Sequence, residues 1–262
     1  MIGVFDSGSG GLMVLRAIRE ELPGADLLYF GDLAHAPYGE QSRGELLDTV
    51  SDAVRVLQCA GATSIVSACN TASVVLQGRY AEMLGLTSDR FIEMIEPTVE
   101  RATAFKQPLL LAATPATIAS GVYQSALNAA GVVAKPVALP GLATAIEFGA
   151  PEEELENCIR DAFFEIDTTA YGGLVLACTH YPIVRSVFER VFPKLVLLDP
   201  ARTVAERVRE TFGRTEQGGG KLHFLVSADL SLFRKRAVAI FGPSTQIEMG
   251  PWAVRESGKI ER

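Results

Sequence analysis

Ile65-Val66-Ser67-Ala68-Cys69-Asn70-Thr71 and, 109 residues further on, Leu174-Val175-Leu176-Ala177-Cys178-Thr179-His180 are two versions of one phrase. Each is an apolar run of strand length that ends in Ala-Cys and passes into a polar pair, the pattern of a buried strand entering a turn. A second pair lies upstream: Val4-Phe5-Asp6-Ser7 is echoed by Leu111-Ala112-Ala113-Thr114, with Asp6 and Thr114 at an offset of 108. One such pair could arise by chance in any α/β chain. Two pairs at agreeing offsets point to two similar α/β halves.

Working outward, short β-branched runs alternate with amphipathic stretches: Ile2–Phe5, Leu12–Leu22, Leu27–Phe30, Ser42–Ala60 and Ile65–Ala68. The pattern restarts at Leu109–Ala113 and continues through Gly173–Ala177, Leu195–Leu198 and Leu222–Val226. This is the α/β signature. The stretch Ser42–Ala60 predicts a helix with Leu46, Leu47, Val50, Ala53, Val54 and Leu57 on one face, started by a capping box of Ser42 and Glu45. No long linker or low-complexity segment divides the chain.

The 262 residues are 48% hydrophobic and 21% charged, enough apolar material for one large core or two small ones, which excludes disorder. Lys plus Arg number 24 against 31 Asp plus Glu, a formal charge of −7, and the longest basic run is Arg234-Lys235-Arg236; a nucleic-acid partner is not expected. Residues Gln107 to Ala134 carry no charge, but Pro108, Pro115, Gly121, Gln124 and Asn128 break the run, so it reads as a buried strand and the helix after it, not as a membrane span. The opening Met1-Ile2-Gly3-Val4-Phe5-Asp6 has no basic segment before its apolar residues, which predicts no signal peptide and a cytoplasmic protein. The four cysteines show no C-x-x-C pair and are expected as free thiols.

If the two halves pack face to face, the carboxyl ends of their strands meet, and in open α/β sheets ligands bind there. Cys69 and Cys178 would then flank one cleft, each at a strand-to-helix turn where the helix start is expected to lower the thiol pKa. His180 is placed to assist Cys178. Cys59 and Cys158, on helical stretches, read as small core residues. Asp6-Ser7-Gly8-Ser9-Gly10-Gly11 is a glycine-rich turn whose amides could approach an anion; it lacks the P-loop lysine and the G-x-G-x-x-G spacing, which disfavours a nucleotide. Asp6 is there either as a helix N-cap or as a carboxylate that handles a proton. Asn70, Thr71, Ser73, Thr114, Thr117 and Thr179 offer amide and hydroxyl donors suited to a small amino acid. Pro37-Tyr38-Gly39 is a turn on the same sheet edge, while His35 and Glu147 read by spacing as surface residues.

Two cysteines across a cleft suggest proton removal from one face of a carbon and proton return to the other. That scheme needs no cofactor, and no Schiff-base or cofactor signature is evident. The competing readings are a redox disulfide pair and a metal site of Cys69, Cys178 and His180 with Asp6 to complete it.

With these residues in place, the chain resembles the glutamate racemases of the cofactor-independent aspartate/glutamate racemase superfamily. The phrases that carry the resemblance are Gly3-Val4-Phe5-Asp6-Ser7-Gly8, Pro37-Tyr38-Gly39, Ala68-Cys69-Asn70-Thr71-Ala72-Ser73, Ile95-Glu96-Pro97, Thr114-Pro115-Ala116-Thr117 and Ala177-Cys178-Thr179-His180-Tyr181-Pro182, in that order. Phe224-Leu225-Val226-Ser227 with Phe233 is similar to the family's closing strand and helix. The resemblance implies two α/β domains with pseudo-twofold symmetry and the active site in the cleft between them, the first domain formed by 1–96 plus about 206–262 and the second by 97–205. It implies interconversion of L- and D-glutamate without cofactor or metal, feeding cell-wall peptidoglycan. Cys69 and Cys178 would be the proton donor and acceptor, assisted by Asp6 and His180. Asp6, Ser7, Tyr38, Gly39, Asn70, Thr71, Thr117, Thr179 and His180 would hold the substrate, with Glu147 a neighbour of the second half-site. Ser9, Met13, Thr98 and Leu139-Pro140 depart from the family's usual residues, and none lies in the two cysteine phrases. Alternatives are a racemase of another small acidic amino acid such as aspartate, a related decarboxylase, or a non-enzymatic small-acid binding or thiol-sensing protein. Oligomeric state is left open, a homodimer included.

Overall fold

The computed structural model describes residues 1–243 and 245 and, as backbone, the short strands 248–249, 253–254 and 260–261. The chain begins β1 (Ile2–Asp6), α1 (Leu12–Glu21), β2 (Leu27–Gly31), α2 (Arg43–Cys59), β3 (Ser64–Ser67), α3 (Asn70–Ser73), α4 (Arg79–Met83), β4 (Phe91–Ile92) and α5 (Ile95–Ala102). It continues β5 (Leu109–Ala113), α6 (Pro115–Ser120), α7 (Val122–Ala129), β6 (Ala134–Ala138), α8 (Leu142–Phe148), α9 (Glu152–Ala162), β7 (Gly173–Ala177), α10 (Arg185–Val191) and β8 (Val196–Leu198). It closes with α11 (Pro200–Phe212), β9 (Leu222–Val226), α12 (Leu230–Phe241) and β10 (Glu248–Met249).

Strands β1 to β10 make two parallel sheets, ordered β10-β9-β2-β1-β3-β4 and β6-β5-β7-β8, and the short strands 253–254 and 260–261 pair antiparallel. The order β2-β1-β3-β4 of the first reappears as β6-β5-β7-β8 in the second. The sequence repeat is therefore a repeat of topology: Asp6 ends β1 as Thr114 follows β5, and Cys69 follows β3 as Cys178 follows β7. Every residue of β1, β2, β5 and β7 is buried. A parallel sheet covered on both faces requires this, and it explains why these strands read as continuous apolar runs.

Helix α2 starts as its sequence predicts. Ser42 Oγ accepts from the Glu45 N–H and the Glu45 carboxylate accepts from the Ser42 N–H at 2.9 Å. Leu46, Val50, Ala53, Val54 and Leu57 are buried and Leu47 packs half-buried beside them. Each fully buried Val or Leu contributes about 1.5–3 kcal/mol. Cys59, two residues past Leu57, falls off that stripe and is exposed, so it is not the core residue the sequence suggested, while Cys158 on α9 is half-buried and packs against the core under the second sheet. The uncharged stretch after Gln107 is β5 followed by two helices, α6 and α7, parted at Gly121 with φ 69°. Among the described residues no helix is long and apolar enough to cross a membrane.

Of the strands β1 to β9, two escaped the sequence pattern. β6 is an edge strand containing Lys135 and Pro136, which an edge tolerates because one side needs no ladder bond. β4 is two residues long. Helix α11 packs along α1 and contributes Val204, Ala205, Val208 and Phe212 to the core under the first sheet. The division of the chain we propose accordingly returns to the first unit at Pro200, since a boundary at 206 would cut one helix in half. The end of the expected first domain, beyond 245 apart from the short strands, lies outside the described residues.

Candidate active site

The carboxyl ends of the strands of both sheets open onto one cavity of about 110 Å³. That is close to the ~150 Å³ of an engineered cavity that admits benzene, so the space suits a small molecule. The first sheet contributes Ser7 and Gly8 after β1, Tyr38 and Gly39 after β2, and Cys69, Asn70 and Thr71 after β3. The second contributes Thr114 after β5, Glu147 from α8, and Cys178, Thr179 and His180 after β7. Both cysteines thus face the same space from equivalent strands. All four cysteines are free.

The surroundings of the two sulfurs differ. Cys69 Sγ accepts from the Ala72 N–H at 3.4 Å and lies 4.0 Å from Ser7 Oγ. Burial pushes its thiol pKa up, and the negative charge of Asp6 pushes it further; the Ala72 N–H opposes without prevailing. The sequence suggested the opposite direction, from a helix start. Helix α3 is only four residues long, so few peptide dipoles act on the sulfur while desolvation acts in full.

Cys178 Sγ lies 3.9 Å from His180 Nδ1, and His180 Nε2 lies 2.5 Å from Glu147 Oε2. Burial alone would lower the His180 pKa. Its hydrogen bonds to Cys178 and Glu147, and the charge they bring, raise it well above the ordinary value instead. Burial would in turn raise Glu147, but the bonds from His180 and Ser9 and the charge of Arg236 hold it well below the usual carboxylate range. The pair is therefore an imidazolium on a carboxylate, with the cation beside Cys178. Glu147 is buried, which corrects its surface assignment. Ser9 of the first unit fastens it, donating from Oγ at 2.9 Å.

Asp6 is neither on the cavity wall nor a helix cap. It is fully buried beneath the turn, where Oδ2 accepts from the N–H groups of Gly8 and Gly11, both at 3.1 Å, and Oδ1 accepts from Thr179 Oγ1 at 3.1 Å. The anion cradled by the glycine-rich turn is thus its own carboxylate. Burial raises the Asp6 pKa, with the His180 charge and the two N–H groups opposing. A Cβ on Gly10 would stand 2.6 Å from Thr179 Oγ1 and 2.8 Å from His180 Nδ1, so a side chain is excluded where the first unit's turn meets the second unit's polar pair.

Tyr38 lines the cavity, but its hydroxyl proton goes to the buried Asp32 at 2.8 Å. His35 shares that carboxylate and is half-buried, not a surface group. Thr117 stands behind the wall, joined to Thr71 at 3.1 Å and Thr114 at 2.9 Å in a ring of three hydroxyls that spans both units. Ser73 is buried and donates to the Cys69 carbonyl at 2.8 Å. Asn70 Oδ1 accepts from the Tyr123 hydroxyl at 2.5 Å, and its Nδ2 is buried without a partner. Among the described residues no three of His, Cys, Asp and Glu converge as a metal would require. The contributions of Ser9, Tyr123 and Arg236 carried no signal in the sequence, since each comes from a contact between distant segments.

A model of the Asp/Glu/hydantoin racemase family matches residues 2–208. Over an alignment of 271 positions the chain is 35% identical to a glutamate racemase of Desulforudis audaxviator, covering 94% of this chain and 97% of that one. Its fold is similar to that of a glutamate racemase isoform from Bacillus anthracis, with a TM-score of 0.85 and 26% identity over 95% of this chain and 97% of that one. It is also similar to the Thermus thermophilus glutamate racemase solved with beta-chloro-D-alanine, with a TM-score of 0.77 and 30% identity over 95% of this chain and 96% of that one.

Proposed function

The chain belongs to the Asp/Glu/hydantoin racemase family, and from that premise we propose that it interconverts L- and D-glutamate by passing a proton between Cys69 and Cys178. The observation that carries the reading is the pair of sulfurs at equivalent strand ends of two topologically matched sheets, facing one cavity. In one direction a thiolate takes the α-hydrogen: the Cα–H bond breaks, an S–H bond forms, and the electron pair stays on the α-carbon. The opposite thiol then gives its proton to the other face of that carbon.

The residues around the sulfurs divide the work. Burial and the Asp6 charge favour the thiol form of Cys69, which suits it to give a proton, and the His180 cation lies beside Cys178 on the other side. On the return, Asp6 makes the Cys69 thiolate a stronger base, matched to a weakly acidic C–H bond. Asn70 Nδ2, buried without a partner, supplies a donor for a substrate carboxylate, while the hydroxyls of Thr71, Thr114 and Thr179, whose protons are engaged with one another and with Asp6, keep lone pairs that can accept from the substrate ammonium. In a water-poor site such donors stabilise the developing carbanion more than they would in solution. Thr117 and Tyr38 belong to this site as supports. The product would serve peptidoglycan synthesis, as is typical of the family, and cytoplasmic location and freedom from cofactors are part of the same proposal.

The test is to incubate the purified protein with L-glutamate and no added cofactor while following optical rotation. The rotation is expected to decay to zero, and α-hydrogen should exchange with solvent deuterium. A flat trace at high enzyme concentration overturns the reading, and a small-acid binding protein or thiol sensor would give one. Glutamate is expected to be turned over with a higher kcat/KM than aspartate, following the glutamate racemases it resembles; comparable values would place the chain with a broader acidic amino-acid racemase. Dialysis against a strong chelator should leave the rate unchanged, because the donor set for a metal does not converge. Activity lost on dialysis and restored by zinc would revive the metal reading.

A further inference from the structure

In the basic run Arg234-Lys235-Arg236 on α12, the first two side chains are exposed and Arg236 turns inward. Its Nη2 donates to the carbonyls of Ile146 and Glu147, the latter at 2.8 Å. Both carbonyls belong to the last turn of α8, where a helix leaves its C=O groups without intrahelical partners and presents the negative end of its dipole. The contact crosses the cleft. Phe233 and Ala237 of α12 are packed in the core under the first sheet, and Leu142 and Ile146 of α8 in the core under the second. The guanidinium is held there at a cost, since its Nε is buried without a partner.

Helix α8 carries Glu147, which Ser9 of the first unit also grips. The Glu147 carboxylate is thus fixed from the first unit twice, by Ser9 at its oxygen and by Arg236 at its backbone. We infer that Arg236 is a positioning residue for one half of the reaction: by fixing the last turn of α8 from across the cleft, it sets where Glu147 holds His180 against Cys178. The inference rests on the two-cysteine reading above. Cys69 has no such connection; its partners are Ser7, Ala72 and the charge of Asp6. Loss of Arg236 should therefore slow proton removal by Cys178 and spare removal by Cys69.

Racemisation cannot show this, because it uses both sulfurs. Elimination of chloride from 3-chloroglutamate needs one base only, so the two enantiomers of a single diastereomer, opposite at the α-carbon, report on the two sulfurs separately. With Arg236→Gln, elimination from the enantiomer that Cys178→Ser fails to process is expected to fall about 10- to 100-fold, and that from the other enantiomer by less than about twofold. Arg236→Lys should recover part of the loss, its ammonium keeping the charge and reaching one carbonyl. Should Arg236→Gln fail to fold, the same ratio is read from Arg236→Lys. Equal losses on both enantiomers would reduce Arg236 to a brace of the fold and overturn the inference, as would no loss on either. Failure of the two-cysteine reading shows elsewhere, in Cys69→Ser and Cys178→Ser losing the same enantiomer, and it would remove the inference with it.

Discussion

Cys69→Ser and Cys178→Ser are each expected to abolish racemisation of glutamate while keeping opposite halves of the partial chemistry. A full cycle needs an acceptor on one face of the α-carbon and a donor on the other, and a serine hydroxyl is too weakly acidic to serve as either near neutral pH. The substitution changes one atom in a buried site, so the fold should persist. Elimination separates the halves. When the surviving thiolate takes the α-hydrogen of 3-chloroglutamate, the electron pair forms the Cα–Cβ double bond and chloride leaves, with no call on the missing thiol. By resemblance to the family Cys69 faces the D-enantiomer and Cys178 the L-enantiomer, so Cys178→Ser should spare the D-analogue and Cys69→Ser the L-analogue. The structure adds a reason to expect unequal residual rates. Cys178 keeps its imidazolium partner in Cys69→Ser, whereas in Cys178→Ser the remaining sulfur must ionise against burial and the charge of Asp6. Elimination by Cys178→Ser should accordingly be the slower and should rise with pH as Cys69 ionises. Full racemase activity in one variant, or loss of the same enantiomer by both, would end the two-base scheme.

Much of this was legible before any coordinates. The buried strands of parallel sheets are apolar runs of fixed length, and β1, β3, β5 and β7 end in or run on into polar residues because the chain must turn there toward a ligand. For the same reason Cys69 and Cys178 stood out, each following Ala at the end of such a run. What stayed hidden depended on long-range geometry. Glu147 reads as one acidic residue on a short helix until α8 brings it to His180 and to Ser9, 138 residues away in the chain. The direction of the Cys69 pKa was misread because the sequence displays the helix start but not the depth of burial. β6 was missed because an edge strand holding Lys135 and Pro136 has no apolar pattern to display. The sequence leaves Asp6 between two roles, and its surroundings resolve part of that question: it accepts from the turn's own amides and from Thr179, and it caps no helix.

The other part is decided by Asp6→Asn, which should slow racemisation by roughly 10²–10⁴-fold, the span of general-base catalysis, because Asp6 acts through the Cys69 thiolate, while making the protein more stable at neutral pH. The geometry allows the exchange. The amide oxygen of Asn can accept from Gly8 and Gly11 as Oδ2 does now, and its NH2 can donate to Thr179 Oγ1, whose hydroxyl reverses freely. The stability change follows from the raised pKa of Asp6. A carboxyl whose folded pKa lies above its unfolded value contributes stability that is fully present below the unfolded value and is lost as pH rises through the folded one. Above that range the native protein carries a buried negative charge that the amide lacks. The unfolding midpoint of Asp6→Asn should therefore exceed that of the native protein at pH 7, and the gain should vanish as pH falls through the carboxylate range, where Asp6 itself becomes neutral. The lost rate has the same origin, since the charge that costs stability is the one that makes the Cys69 thiolate basic enough to remove an α-hydrogen. Normal turnover together with a loss of about 1 kcal/mol of stability, the usual cost of a lost cap, would mean that Asp6 only holds the turn and that Cys69 works without it.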